Sequence, residues 1–504
     1  MLPRTLLPFA LLLPFTQAAE TVLGLYIFSR HGDRTTKAYP PTALTDLGYS
    51  EIFSSATWFR ENYINGTSPI NGIATNNVKL SQIAASAPFD NVLMNSAQGF
   101  LQGLYPPVGA TLGSQTLGNG TLVTAPLDGY QLIPIQTITT GTGSENDAWL
   151  QGASNCANAE VSSNNYFSSP EYMALLNSTQ AFYSSILPTV NTTFNASQLN
   201  FENSYLSMIL LPTNSILPTL LARLTKSAIV FDYLNVAEIH NATIPSSNLL
   251  TPETLLQVRT LADNHEYNLA YNASDPIRAI AGATLAAQIV TALNTTITSN
   301  GTIAPINVQL GEYGQFQSFF GLANLTSLGA DWIGIPDYAS TMTFELFTDV
   351  APTPFPAVDD IQVRFFWHNG TTGNTSTPTA YPLFGQQNLT LSWNDFTAGM
   401  NNFAVGSQSD WCSACGNTTG VCASSTLTSP SSGGKGGSSG SSSSGSGGGG
   451  GGVSRPVAGV IGAMVTLAVI LGVEGLIMVV AGLRLVSKKR LGAGAREGTV
   501  RTKA

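Results

Sequence analysis

The sequence predicts an α/β domain with an inserted helical cap, followed by one C-terminal transmembrane helix. Three features predict it: an early apolar run that ends in a basic cluster, later apolar residues at helical spacing, and a long apolar stretch near the C-terminus. Ligands of open α/β sheets bind beyond the carboxyl ends of strands, where such a basic cluster would lie. Without its two non-globular ends, the chain has about 400 residues for folding.

The elements of the domain follow from the spacing of apolar residues. Thr21–Phe28 is a short apolar run that predicts a buried strand. Thr251–Tyr271 and Arg278–Leu293 predict two helices, and residues 146–250 are mixed but mostly helical, which indicates an inserted cap (about residues 146–275). Another helix is predicted before Pro106-Pro107 by apolar residues at helical spacing: Leu93, Ala97, Phe100, Leu101 and Leu104.

The N-terminus has the three parts of a secretory signal peptide. Arg4 lies in a basic start, the apolar stretch Leu6–Phe15 follows, and small residues stand at Ala18 and Ala19. This order is typical of a cleaved leader rather than of a first core helix. We therefore expect residues 1–19 to be a signal peptide, cleaved after Ala18 or Ala19.

The C-terminus contains a linker, a predicted span and a basic tail. Residues 431–457 are mostly Ser and Gly, as in a flexible tether. Ala458–Leu483 carries one charge, Glu474, and a helix of this length would extend roughly 39 Å, enough to cross a bilayer. The positive-inside tendency places the tail, residues 484–504, in the cytosol. A GPI signal is the alternative, but it requires the hydrophobic stretch to end the chain.

Glycosylation sequons support secretion independently. A single Asn-x-Ser/Thr sequence is weak evidence, because the pattern is short. Fourteen before residue 420 predict a heavily glycosylated surface and place residues 20–430 outside the cell or in a lumen. We expect a single-pass type I protein of the cell surface or of a secretory or vacuolar membrane. The sequons are Asn65, Asn119, Asn177, Asn191, Asn195, Asn241, Asn272, Asn294, Asn300, Asn324, Asn369, Asn374, Asn388 and Asn417.

The chain has four cysteines: Cys156, Cys412, Cys415 and Cys422. In a secreted chain they favour disulfides, although four cysteines permit three pairings and the sequence does not choose among them. A zinc site is the minor alternative, since no histidine lies near the cluster in sequence.

Charge is unevenly distributed along the chain. Between residues 20 and 430 there are ten Lys or Arg against twenty-seven Asp or Glu, a net of −17. This balance disfavours nucleic acid and anionic lipid as partners of this region. Arg30, Arg34 and Lys37 nevertheless lie within eight positions, and such a concentration of base in an acidic domain indicates a function.

The sequence Arg30-His31-Gly32-Asp33-Arg34 has the chemistry of a phosphate site. An imidazole nitrogen is able to attack phosphorus, and two guanidiniums offer paired donors to phosphoryl oxygens. Glycine lets the backbone approach closely, because it has no side chain. A solvated loop with locally paired charges is the competing interpretation, and the strand directly before the cluster disfavours it.

The loop and several later segments are similar to the histidine acid phosphatase branch of the histidine phosphatase superfamily. That family carries Arg-His-Gly-x-Arg-x-Pro after its first strand. This chain matches at Arg30, His31, Gly32 and Arg34, with Thr36 where the family usually has proline. The resemblance extends over most of residues 20–430, and the other matching segments are Ser96–Pro107, Pro336–Ser340, Phe344–Leu346 and Trp411-Cys412.

The resemblance implies a fold, a mechanism and a substrate class. The fold would be a three-layer α/β sandwich around a mixed, mostly parallel sheet with an inserted helical cap. His31 would form a phosphohistidine, while Arg30 and Arg34 hold the phosphoryl group of a phosphorylated small molecule and Asp33 contributes to substrate binding. No metal or other cofactor is implied, because the arginines supply the positive charge.

Two positions depart from the family pattern. The segment Ala84–Asn95 has neither Arg nor Lys, so that Asn91 or Val92 occupies the place of the family's middle arginine. The family's His-Asp pair is replaced by Gly-Glu-Tyr-Gly around Glu312. A phosphomonoesterase needs a donor for the leaving alkoxide, and Glu312 is the predicted donor, with Asp33 as the second candidate.

The remaining histidines, His240, His265 and His368, lie away from these segments in sequence. His265-Glu266 superficially resembles a His-Glu pair. Because it lies in the presumed cap helix, we expect a surface role for it.

Three functions are compatible with the sequence. The first, which we expect, is an acid-phosphatase-like phosphomonoesterase anchored in a membrane. The second is a catalytically impaired relative that binds a phosphorylated ligand or serves as a glycosylated surface protein. The third, a phosphomutase-like transferase, is disfavoured by the predicted secretion. Phytate is disfavoured as a substrate, because a polyanion favours a basic pocket. The oligomeric state stays open.

Overall fold

The computed structural model of the protein describes residues 20–66, 69–137, 153–204, 230–241 and 250–423. The predicted signal peptide (1–19) and the predicted linker, transmembrane helix and tail (431–504) lie outside these residues. Within them lie nine strands: β1 (Thr21–Arg30), β2 (Ile83–Ser86), β3 (Ser114–Thr116), β4 (Leu122–Thr124), β5 (Ile306–Gly311), β6 (Thr341–Thr348), β7 (Ile361–His368), β8 (Thr379–Tyr381) and β9 (Thr390–Ser392).

A seven-stranded mixed sheet forms the centre of the domain, in the order β2-β5-β1-β6-β7-β8, with β9 paired to β7. The pairs β1–β5 and β2–β5 are parallel, and the pairs that involve β6 or β7 are antiparallel. The predicted mixed sheet is confirmed, but its predicted parallel majority is wrong: two of its strand pairs are parallel, both in the half that contains β1, and four are antiparallel. The physical reason is that β6 to β9 are joined by short connections, which favour antiparallel pairing. Strands β3 and β4 form a separate two-stranded sheet.

The described residues also contain helices of eight residues or more, numbered here in chain order. They are α1 (Asp46–Tyr63), α2 (Asn91–Leu104), α3 (Ala157–Asn165), α4 (Pro170–Ser185), α5 (Val230–His240), α6 (Pro252–Ala270), α7 (Ile280–Thr298), α8 (Tyr313–Leu322), α9 (Trp393–Asn401) and α10 (Gln408–Cys415). Four-residue helical turns lie at Gly109–Leu112, Pro126–Gly129 and Leu187–Val190. The predicted strand and helices of the sequence correspond to β1, α2, α6 and α7.

Helices cover both faces of the sheet, and β1 is therefore buried on both sides. Leu25 and Ile27 face a core cluster shared with α1 and α2. Tyr26 and Phe28 face the opposite cluster, shared with α7, α8 and α9. A nearly continuous apolar strand is typical of a sheet covered on both faces. The predicted three-layer α/β arrangement is therefore present.

The segment predicted to form the cap contains α3 to α6. Ala159 of α3 packs in the cluster around the disulfides, whereas helices α4, α5 and α6 share a third cluster of buried residues that includes Tyr172, Leu234 and Val258. Tyr313 of α8 belongs to the same cluster, so this core reaches the end of the central sheet. The start of α6 has a typical helix N-cap. The Thr251 hydroxyl accepts a hydrogen bond from Thr254 N, and Pro252 occupies the first helical position.

All four cysteines form disulfides, Cys156–Cys415 and Cys412–Cys422. The disulfide interpretation is confirmed, and the structure selects one of the three pairings. The two bonds lie in a buried cluster with Trp411 and Ile280. Cys156–Cys415 joins residues 259 positions apart, so it ties the start of α3 to the C-terminal helix α10.

One helical segment among the described residues, Pro276–Thr298, is long and apolar enough to cross a membrane. Its apolar window is 61% buried within the domain. Leu285, Ile289 and Leu293 of this segment pack into the core beside the sheet. We therefore describe it as a core helix, distinct from the predicted span at residues 458–483.

Candidate active site

The register of the parallel strands brings the two sequence motifs together. Arg30 at the end of β1 pairs with Gly311 at the end of β5. His31 directly follows β1 and Glu312 directly follows β5, so both residues lie at the same carboxyl edge of the sheet. Strand β6 runs antiparallel to β1, and the residues before it, including Tyr338, reach the same edge.

Two glycines hold the loop against the start of α1. A Cβ atom on Gly32 would lie 2.2 Å from the Gly48 carbonyl oxygen, and one on Gly48 would lie 2.1 Å from the Asp33 carbonyl oxygen. These backbones therefore meet at a distance that only glycine permits. Thr45 completes the junction, because its backbone N–H donates to Asp33 O at 3.0 Å and its hydroxyl caps α1.

The surroundings of His31 set the tautomer of its ring. The ring is buried, and Nδ1 lies 2.8 Å from the Gly32 carbonyl oxygen. A carbonyl only accepts, so Nδ1 carries the hydrogen and the neutral imidazole has its lone pair on Nε2. Nε2 lies 3.9 Å from Glu312 Oε1. The predicted nucleophile and the predicted donor thus lie close together.

Arg30 is buried in contact with two aromatic rings. Its guanidinium carbon lies 4.7 Å from the centre of the Tyr338 ring and 5.6 Å from that of Tyr313. Nη1 donates to the Pro336 carbonyl oxygen. Cation–π contacts leave the edges of the guanidinium plane able to donate to an anion. Arg30 also lines a cleft of about 200 Å³ at this edge of the sheet.

Arg34 forms a buried ion pair with the cap helix α5. Its Nη2 lies 2.8 Å from Asp232 Oδ1, and both side chains are almost fully buried. Burial alone would raise the pKa of Asp232, but Arg34, the Thr36 hydroxyl and the Lys37 backbone N–H together hold that pKa below its usual range. The carboxylate is therefore charged, and it fixes the cap to the loop.

Asp33 contacts protein groups on both sides of the loop. Its Oδ2 accepts from the Thr45 hydroxyl and lies 2.6 Å from His240 Nε2 at the end of α5. Its backbone N–H donates to Glu51 Oε2 at 2.8 Å. The carboxylate connects the loop, α1 and the cap. Its predicted part in substrate binding stays a prediction.

Glu51 of α1 is a carboxylate of the cleft that the sequence did not single out. Burial raises the pKa of Glu51 to about 6, with a further rise from the Asp33 carboxylate that the Asp33 N–H bond opposes. Glu51, Asp232 and Asp337 line the cleft with Arg30. The cleft therefore combines one guanidinium with several carboxylates.

Asn91 or Val92, at the start of α2, stands where the family has its middle arginine. Asn91 is exposed and Val92 is buried, with Asp90 capping the helix through Val92 N and Leu93 N. One turn further, the Ser96 hydroxyl accepts from Gly32 N at 3.3 Å. Helix α2 thus contributes a neutral hydroxyl to the loop.

The expectation of a surface role for His265-Glu266 is wrong. His265 and Glu266 are both buried, with His265 Nδ1 2.8 Å from Glu266 Oε1. The physical reason is the packing of α6: this face of the helix turns into the aromatic core of the cap rather than to solvent. Polar groups are retained in such a core only when the protein supplies their hydrogen-bond partners.

Several residues that position the site were not predicted from the sequence. They are Gly48, Glu51, Asp232, His240, Tyr313 and Tyr338. Only Asp232 carried a usable signal, because it interrupts the apolar run Ala228–Tyr233 and a charge in such a run is usually paired. The others become recognisable only when distant segments meet.

The fold and site define a capped α/β sandwich with a histidine and two arginines at the carboxyl edge of its sheet. Residues 36–366 match the histidine phosphatase superfamily (branch 2), and the chain belongs to that superfamily. The match begins two residues after Arg34. The membership therefore rests on the body of the fold and is independent of the loop that suggested it.

Comparison with solved structures finds two phytases and an inositol polyphosphate phosphatase at low sequence identity. The Hafnia alvei phytase in its apo form matches with a TM-score of 0.51 and 11% identity, over 79% of this chain and 98% of that one. The phytase from Citrobacter braakii matches with 0.49 and 13%, over 79% and 99%. The Bifidobacterium longum multiple inositol polyphosphate phosphatase with phosphate matches with 0.45 and 10%, over 78% and 96%. No curated protein matches this chain.

Proposed function

We propose that the protein hydrolyses phosphomonoesters through a phosphohistidine at His31. The observation that supports this most directly is the pairing of His31 Nδ1 with the Gly32 carbonyl oxygen. It leaves Nε2 with the lone pair on the side where Glu312 lies. A nucleophile, a carboxyl group and a guanidinium then meet at one edge of the sheet, beside a cleft.

In the first step, His31 Nε2 attacks phosphorus and the ester oxygen leaves. Arg30 donates to the phosphoryl oxygens and stabilises the charge that develops on them, with Arg34 as the second predicted donor. Arg34 is already paired with Asp232, so its orientation is set before substrate arrives. Fixed donors of this kind cost no reorganisation during reaction.

Glu312 is the proposed proton donor. In its protonated form it would transfer the proton to the leaving alkoxide, and in its charged form it would activate the water that hydrolyses the phosphohistidine. A group that first donates and then accepts the proton fits both half-reactions. Asp33 is the weaker candidate, since Thr45 and His240 already engage its Oδ2.

The substrate we propose is a small phosphomonoester rather than phytate. Glu51, Asp232 and Asp337 line the cleft beside Arg30. Arg34 compensates Asp232, and Arg259 compensates Asp337 at 2.9 Å, so little positive charge is left to bind several phosphate groups at once. The phytases of similar fold give no argument on substrate at their low identity.

The decisive experiment measures p-nitrophenyl phosphate hydrolysis from pH 3 to 7 with the full chain expressed in a secretory host. We expect His31→Ala to lose activity by at least 10³-fold and Glu312→Gln by roughly 10²–10⁴-fold. His368→Ala is the matched control and should keep activity. A phosphoenzyme trapped at alkaline pH should form in the wild type and disappear in His31→Ala.

The assay also separates the alternatives. Wild-type activity no greater than that of His31→Ala would contradict catalysis and favour a phosphate-binding or surface role. Full activity in Glu312→Gln would exclude Glu312 as the donor and leave Asp33 and Glu51 to be tested. Faster hydrolysis of phytate than of p-nitrophenyl phosphate would contradict the proposed substrate class.

We also propose that the site acts outside the cell or in a lumen, on a single C-terminal anchor. Two disulfides support an oxidising compartment. All fourteen sequon asparagines lie in the described residues, and twelve are exposed while two are half-buried. Endoglycosidase treatment should increase the electrophoretic mobility of the expressed chain, and deletion of residues 458–504 should release it from the membrane fraction. A chain without glycans, or one still bound to membranes after the deletion, would contradict this.

A further inference from the structure

We propose that Tyr313, Glu266 and His265 form a buried relay that positions Arg30, so that the core of the cap sets the affinity of the phosphate site. The inference rests on the proposed function in one respect, that Arg30 binds the phosphoryl group. The relay is defined by its contacts in the structure: His265 to Glu266, Glu266 to Tyr313, and Tyr313 to Arg30.

Each contact is short or direct. His265 Nδ1 lies 2.8 Å from Glu266 Oε1, and the Tyr313 hydroxyl donates to Glu266 Oε2 at 2.7 Å. The three residues are 0%, 5% and 8% exposed, respectively. Both oxygens of Glu266 therefore have a partner away from water, and each partner restricts the carboxyl group to one orientation.

The aromatic core of the cap fixes the far end of the relay. The His265 ring lies 5.3 Å from the ring centre of Phe201, 6.1 Å from Phe167, 6.2 Å from Tyr172 and 6.4 Å from Tyr166. A ring packed on several sides has one accessible rotamer, because close-packed interiors leave no space for another. His265 therefore anchors Glu266.

Tyr313 transmits this position to the phosphate site. It is the first residue of α8, directly after Glu312, and its ring lies 5.6 Å from the Arg30 guanidinium. Tyr338 contacts the same guanidinium from the segment before β6, which is held by the bond from Ala339 N to the His31 carbonyl oxygen. The ring of Tyr313 is anchored to the cap through its hydroxyl, which donates to Glu266.

The hydroxyl of Tyr313 is thus the link that distinguishes a relay from ordinary packing. Removing it leaves the ring, the core volume and the Arg30 contact almost unchanged, while the restraint from Glu266 disappears. If positioning depends on that restraint, phosphate affinity should fall with little change in stability. If the ring alone positions Arg30, affinity should stay the same.

The test compares Tyr313→Phe with Tyr166→Phe in the full chain. Tyr166 lies in the same aromatic core, and its half-buried hydroxyl donates to Asn264 Oδ1 at 3.3 Å. Its variant keeps the ring beside His265 and loses only a hydroxyl that lies outside the relay. The dissociation constant of inorganic phosphate is measured by calorimetry, beside the thermal midpoint. We expect Tyr313→Phe to weaken phosphate binding roughly three- to tenfold, as for the loss of one positioning hydrogen bond, and Tyr166→Phe to leave binding unchanged.

Two changes at Glu266 sharpen the result. Glu266→Gln keeps an acceptor oxygen for the Tyr313 hydroxyl and should retain most of the affinity, whereas Glu266→Leu should lower it as Tyr313→Phe does. The double variant Glu266→Leu/Tyr313→Phe should bind no more weakly than either single variant, because both break the same link. Tyr313→Phe suffices on its own if Glu266→Leu does not fold.

Unchanged phosphate binding in Tyr313→Phe, or equal weakening in Tyr166→Phe, would overturn the relay. The result is distinguishable from failure of the proposed catalysis. Phosphate binding requires no turnover. A wild type that is no more active than His31→Ala would therefore contradict the proposed catalysis, while the phosphate affinity of the Tyr313 variants would still test the relay. If hydrolysis depends on His31 but Tyr313→Phe binds phosphate as tightly as the wild type, the relay alone is contradicted.

Discussion

The two halves of the loop after β1 are held by different parts of the molecule. Arg30 and His31 are held at the sheet edge by backbone carbonyls and aromatic rings. Asp33 and Arg34 are held by the cap helix α5, through His240 and Asp232. The first half depends on strand register, and the second depends on charge supplied from about 200 residues further along the chain.

This difference separates binding from stability. Arg30 contacts two aromatic rings and a backbone carbonyl and lines the cleft, so its loss should weaken ligand binding more than it lowers the stability of the fold. Arg34 is a buried cation whose charge is compensated by a carboxylate of the cap, so its loss should affect both. Variants in each half of the loop and in the cap test this division.

Asp232→Asn should have the largest effect. It leaves the Arg34 guanidinium buried without its carboxylate, and breaking a buried pair in this way costs roughly 3–5 kcal/mol in the free energy of unfolding. Urea denaturation of the full chain measures it. Asp359→Asn is the control, because Asp359 is exposed, and surface changes usually stay within about 0.5 kcal/mol. A loss below 1 kcal/mol (on the order of a surface pair) would show that the cap does not depend on this pair.

Arg30→Gln should lower kcat/KM by roughly 10²–10³-fold, the usual effect of removing one donor to a developing charge. The thermal midpoint should change little, because Arg30 is held by two rings and a backbone carbonyl rather than by a buried ion pair of the kind that holds Arg34. Arg34→Gln should lower activity and stability together. The division between the two halves would be wrong if Arg30→Gln destabilised the protein as much as Arg34→Gln does.

The pH dependence of stability offers the smallest effect. Burial raises the pKa of Glu51 to about 6 on the sheet side, and burial also raises the pKa of Asp263 to about 6 on the cap side. Carboxyl groups with raised pKa values contribute stability that is present below their ordinary pKa and is lost as the pH rises through about 6. Glu51→Gln and Asp263→Asn should each flatten the fall of the thermal midpoint over this range.

The outcome distinguishes the two regions again. A flatter profile for Glu51→Gln alone would place the pH sensitivity at the loop, and one for Asp263→Asn alone would place it in the cap. Exposed Asp359→Asn should leave the profile unchanged. An unchanged slope in both variants would contradict the raised pKa values.

Much of the fold was predictable because it depends on local pattern. Local apolar spacing is enough to predict four elements: the strand β1 and the helices α2, α6 and α7. The His31 loop was predictable for the same reason, since its five residues carry the chemistry in consecutive positions. The pairing of the four cysteines was not, because every pairing is compatible with the same spacing.

Local sequence was sufficient to predict the α/β domain, the Arg30–Arg34 loop at its sheet edge, and Glu312 as the proton donor to be tested. The groups around them are seen only in the folded molecule: the carboxylate of Asp232 beside Arg34, and the rings of Tyr313 and Tyr338 beside Arg30. The His265-Glu266 pair, expected at the surface, is buried. The physical reason is that strands and helices follow from neighbours along the chain, whereas ion pairs, ring contacts and burial follow from segments that meet only after folding. The loop after β1 shows both: its five residues are recognisable in the sequence, but their contacts with Asp232, Tyr313 and Tyr338 form only on folding.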